Sequence, residues 1–109
     1  MRFKVSLMGI GLTMGIKLHE VEKDLMAFHC PGCGYGHCVT VHGHLNPQGA
    51  SWDWNSSMDK PTFMPSILVN ASFPSSRCHS NVKDGNIIFC ADCFHSMKGQ
   101  TVEIPDWDD

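Results

Sequence analysis

Apolar and polar positions alternate in short runs along this chain, and helical spacing recurs in only one place. Lys17 to His29 alternates around the polar turn Glu22-Lys23-Asp24, which predicts two short strands. The second, Leu25 to His29, leads into Cys30-Pro-Gly-Cys33, and the alternating Val39 to His42 completes a hairpin with that turn at its tip. Trp52-Asp53-Trp54-Asn55 has the aromatic-polar rhythm of a half-buried strand. Pro61 and Pro65 exclude a central strand and predict an extended edge running into Ser66 to Asn70, because proline removes ladder donors. Asp84-Gly85 marks a hairpin between Cys78–Val82 and Ile87–Cys90. Residues 91 to 98 suit two helical turns closed by Gly99, and Thr101 to Ile104 forms a last strand. The expectation is a mainly β single domain with about seven short strands and one short helix.

The composition, 42% hydrophobic and 17% charged, is that of a globular chain, and 109 residues leave no room for a second core. The expected layout is an N-terminal strand or extension over 1–27, a metal-binding β domain over 28–105 and an acidic tail over 106–109. A net charge of −3 with scattered basic residues argues against nucleic acid, whose binding rests on clustered Lys and Arg. The apolar run Val5 to Leu12 is broken by glycines, too short to span a bilayer and without a small-x-small cleavage site. A cytoplasmic location follows as the expectation, with no membrane association. There, paired cysteines bind metal more often than they form disulfides.

Two Cys-x-x-Cys pairs, Cys30/Cys33 and Cys90/Cys93, carry the chemistry. Two thiolates three positions apart on a turn grip one tetrahedral ion, and zinc accepts sulfur at about 2.3 Å and imidazole at about 2.0 Å. Cys30-Pro-Gly-Cys33-Gly-Tyr35 is similar to the knuckles of rubredoxins and zinc ribbons, so Cys30 and Cys33 are the firm ligands. Three completions compete: Cys90 with Cys93, Cys78 with His95, or a set in which His79 or Cys93 replaces one of the latter. Cys78 and His79 fall on opposite faces of a strand, so one ion takes only one of them. Of the other histidines, His42 and His44 read as solvated and His19 and His29 as structural. His37 is near enough to reach the metal, but a four-ligand site has no surplus position.

The ordered set Cys-Pro-Gly-Cys (30–33), Trp-x-Trp-Asn (52–55), Pro-Thr-Phe-x-Pro-Ser-Ile (61–67), Cys-His-Ser (78–80), Asp-Cys-x-His (92–95) and Gly-Gln-Thr-Val (99–102) resembles a family of small phage- and prophage-associated proteins of unknown function. Some members carry ammonia monooxygenase or anaerobic dehydrogenase labels that nothing in these residues supports. The resemblance covers roughly Phe28 to Pro105 and implies Cys30, Cys33, Cys78 and His95 as the zinc ligands, with His79, Cys90 and Cys93 as alternates. It also implies a phage-encoded protein working in the bacterial cytoplasm.

Two functions follow as expectations. A closed zinc site implies a metal-stabilised binding module with a protein partner, since such a site contributes folding energy and leaves no position for substrate. An open zinc site implies a hydrolase with Asp92 or His79 as general base. No His-Glu-x-x-His motif is present, and the zinc deaminase pattern fails for want of its glutamate. A thioredoxin-like pair at Cys30/Cys33 lacks its βαβ context.

Overall fold

The computed structural model describes residues 15–107, so the apolar run Val5 to Leu12 lies outside the described residues. Among the described residues, eight strands form two antiparallel sheets. The first has the order β1 (His19–Glu22), β2 (Leu25–Cys30), β3 (Tyr35–Thr40); the second runs β4 (Asp53–Trp54), β5 (Phe63–Val69), β6 (Cys78–Lys83), β7 (Asn86–Phe89), β8 (Thr101–Glu103). The mainly β expectation holds. Among the described residues no helix is present, and none is long and apolar enough to cross a membrane.

The helix expected over 91–98 is a series of turns instead. Cys93, Lys98 and Gln100 donate backbone bonds three residues back, to Cys90, His95 and Met97, and Phe94 donates to Arg77 of the preceding loop. The segment's donors are committed to tight turns and to neighbouring chain, so the four-residue ladder of a helix never starts.

Side-chain alternation builds the core. Val39 of β3, Cys78, Ser80 and Val82 of β6, and Ile87 and Phe89 of β7 all point inward and are buried. Phe28 of β2 meets Phe63 of β5 with ring centroids 6.3 Å apart, which joins the inner faces of the two sheets. Fully burying one such side chain contributes on the order of 2 kcal/mol. The turn Asp84-Gly85 takes positive φ at both residues, the geometry a two-residue hairpin requires, and fixes the pairing Lys83 with Asn86. Lys17 is buried between Glu103 at 2.7 Å and Asp106 at 3.2 Å. Burial acts to depress its ammonium, but the two carboxylates overcome this and leave its pKa raised.

Between β5 and β6 the register slips. Phe63 faces Val82 but Ile67 faces Ser80, so four steps along β5 answer two along β6. Such a bulge bends the strand and re-aims its side chains. Here it exposes Pro65 and returns Ile67 to the core, which leaves Ser66 and Leu68 on the outer face with His79, the partner of Leu68.

Candidate functional site

Two constellations flank β6, one on each face. On the inner face, the hairpin of β2 and β3 brings Cys30 and Cys33 to Cys78. Donor atoms of Cys30, Cys33, His37 and Cys78 all lie within 4.8 Å of one another. Three of these four residues are buried. The Cys33 N–H donates to Cys30 Sγ at 3.4 Å, and Gly34 takes a positive φ that carries the chain out of the turn.

The thiols perturb one another strongly. A hydrogen bond from Cys78 holds the Cys30 thiol far below its ordinary range against the effect of burial, with His37 adding to the fall. Burial and the neighbouring Cys30 push Cys33 up, and the bond to Cys30 followed by burial pushes Cys78 up. The crowding favours charge on one sulfur with the neighbouring thiols donating to it, as where thiols gather around a place for a cation. The donor set is soft sulfur with imidazole, which suits zinc chemistry.

His95 approaches the same cluster from the loop after β7. Its Nε2 lies 3.6 Å from Cys78 Sγ, and it forms a second group with Cys78 and Cys93. Its ring crosses the first Cys-x-x-Cys turn where a side chain at position 32 would stand, so Gly32 is required for space. Each imidazole keeps one buried nitrogen without a protein partner, Nε2 of His37 and Nδ1 of His95. The fourfold group thus contains His37 rather than the His95 expected from sequence, and His95 meets it through Cys78.

The outer face carries different chemistry. His79 Nε2 lies 3.0 Å from Ser66 Oγ, and its Nδ1 lies 3.3 Å from both carboxylate oxygens of Asp92. Ser66 Oγ–H therefore faces a ring nitrogen whose opposite N–H points at a carboxylate. This is the nucleophile–base–orienter order of Ser-His-Asp hydrolases, with an Asp contact somewhat looser than in a substrate complex.

The second Cys-x-x-Cys turn holds this row in place. Cys93 Sγ accepts from the His79 N–H at 3.3 Å and donates to the His79 carbonyl at 3.1 Å, while the Cys90 N–H reaches the same carbonyl at 2.9 Å. Asp92 lies between these two anchors. Burial, then the charge of Asp92 and the nearby Cys93, keep the Cys90 thiol raised and protonated.

A groove of about 590 Å³ runs between β3 and β5, lined by residues including Tyr35, Cys38, Leu68, Val69 and Phe73. Trp52 Nε1 donates to the Ser66 carbonyl at 3.2 Å and lines the same groove.

The sequence reading singled out His79 and Asp92 but not Ser66. Serine is common, and no glycine-flanked elbow marks this one. Its only signal is its place in the Pro-Ser-Ile run after two prolines. The other histidines divide by surroundings. His42 and His44 are exposed and bind Asp24 at 2.7 and 2.8 Å, while His19 and His29 stack on Trp107.

No curated protein and no solved structure matches the chain. The profile of one family, described as the bacterial ubiquitination-like system serine protease BubE, matches residues 11–90. That span holds Ser66, His79 and the three clustered thiols, and ends two residues before Asp92. With well over half its length matched, the chain belongs to the BubE family.

Proposed function

We propose that this chain is a serine peptidase of a bacterial ubiquitination-like system, built on a zinc-stapled β scaffold. The observation that carries the reading is the Ser66–His79–Asp92 row. Ser66 Oγ attacks a carbonyl carbon as His79 Nε2 takes the hydroxyl proton, and Asp92 holds the ring and balances the imidazolium that forms. His79 then passes the proton to the departing amine. Water, activated by the same nitrogen, hydrolyses the acyl-serine. In a modifier system the departing amine is a lysine side chain or a chain terminus, and the groove between β3 and β5, whose Trp52 holds the Ser66 carbonyl, offers an extended peptide a bed.

The zinc in this reading is structural and held by Cys30, Cys33, Cys78 and His37, with His95 Nε2–H donating to the Cys78 sulfur. Four protein ligands leave no position for substrate. Such a site supplies folding free energy, and the hydrolytic work falls to the other face of β6.

The test is hydrolysis of the system's own modifier conjugates, together with labelling by a fluorophosphonate probe. Ser66→Ala is expected to abolish both while the far-UV spectrum and zinc content stay unchanged. Conjugate cleavage persisting in Ser66→Ala would overturn the assignment. Comparing zinc stoichiometry in His37→Ala and His95→Ala tests the ligand set, since only the first is expected to lose the ion.

A further inference from the structure

The Ser66–His79–Asp92 row contains a fourth group that proton transfer does not use. A ring nitrogen of His79, Cys90 Sγ and an Asp92 oxygen all lie within 4.8 Å of one another. Unlike the inner cluster, this one is open to solvent, with the His79 side chain 29% and the Asp92 side chain 46% exposed. The distance from His79 Nδ1 to Asp92 is also informative. At 3.3 Å it is long for a charge-assisted N–H···O bond, whose usual range is about 2.7–2.9 Å. An ion with tetrahedral bonds of about 2.0 Å sets its nitrogen and oxygen ligands about 3.3 Å apart. Imidazole, thiolate and carboxylate together form a donor set that zinc takes readily.

We propose that His79, Cys90 and Asp92 form a second, reversible zinc site that inhibits the hydrolase by capturing its base and orienting carboxylate. On binding, Cys90 loses its thiol proton to solvent and the sulfur becomes a ligand. His79 takes its other neutral tautomer, the proton leaving Nδ1 and a proton settling on Nε2, and Asp92 turns from the ring to the ion. Ser66 then faces an Nε2–H in place of a lone pair, so the ring donates to the hydroxyl and cannot take its proton. Water fills the fourth position, so the site is weaker than the inner one and exchanges. The inhibitory part rests on the peptidase reading; the metal site does not.

The experiment starts from protein already carrying its inner zinc and titrates Co²⁺ into it. Wild type is expected to bind one further ion with a thiolate-to-cobalt absorption band. Cys90→Ser should lose the band and weaken this binding by roughly 100-fold, the upper range for loss of one supporting group. Ser66→Ala should retain it. In parallel, added Zn²⁺ should inhibit conjugate cleavage by wild type, and the inhibition curve of Cys90→Ser should shift to higher zinc by a similar factor. No second band, or an equal band in Cys90→Ser, overturns the site. A bound second ion without inhibition overturns its regulatory role. A second ion on a protein that cleaves nothing overturns the peptidase reading and leaves the metal site standing.

Discussion

The two Cys-x-x-Cys turns have the same spacing and opposite uses. At the first, Cys30 and Cys33 turn their sulfurs toward a third thiol and an imidazole in the interior. At the second, Cys93 spends its sulfur on the backbone of His79, and Cys90 faces Asp92 on the open side. The difference lies in what surrounds each turn. The first caps a regular hairpin, with Cys30 paired to Tyr35, so both side chains project beyond the strand ends toward β6. The second opens the long loop between β7 and its return strand β8 rather than closing a tight hairpin, and its donors are drawn back onto β6. Spacing makes a ligand pair available; the neighbouring chain decides whether the two sulfurs are gathered with further donors.

Breaking the first turn should have the largest effect. Zinc held by small folding units contributes an apparent free energy of about 10–16 kcal/mol, as large as the net stability of about 5–15 kcal/mol usual for a domain. Cys30→Ser, or prolonged chelation, is therefore expected to unfold the chain, seen as loss of the near-UV signal together with the metal. A chelated protein that kept its native spectrum would remove the structural role. Asp92→Asn strikes what the second turn positions. It should leave the fold intact and lower turnover by roughly 10⁴-fold, as a mis-set histidine tautomer does.

Cys93→Ala separates support from catalysis. Loss of the thiol leaves the His79 N–H without its sulfur and should cost about 1–3 kcal/mol in chemical denaturation. Gly32→Ala should destabilise by a similar 1–3 kcal/mol, because the added methyl competes with the His95 ring for one space. The smallest effect belongs away from both turns. Asp24 is held below the ordinary carboxylate range chiefly by its bond to His42. Its contribution to stability is full above about pH 4 and lost as the pH falls through the lowered value. Asp24→Asn should flatten that acid limb of the unfolding curve.

Local spacing made the first turn, the hairpins and the mainly β architecture legible in the sequence. The Asp84-Gly85 turn placed β6 and β7 correctly, because it acts through its own backbone. The edge expected from Pro61 and Pro65 is instead an inner strand, β5, paired with β4 and β6 and accommodating Pro65 where the register slips. Ser66 was not legible. It stands 13 residues from His79, which stands 13 from Asp92, and their meeting depends on a bulge that no single residue announces. The absent helix had the same origin: residues 91–98 have helical spacing, but their bonding partners lie elsewhere in the chain.

Cys78 and His79 are neighbours in sequence and face opposite sides of one strand. The molecule's two chemistries are thus separated by a single step of chain. Gaining or losing one residue within β6 would exchange them, sending the sulfur into solvent and the imidazole into the interior. Drift in this lineage should therefore admit length changes in the turn over 70–77 and almost none between Cys78 and the Asp84-Gly85 corner. That reading frame of the fold is testable by scanning single-residue insertions along the chain.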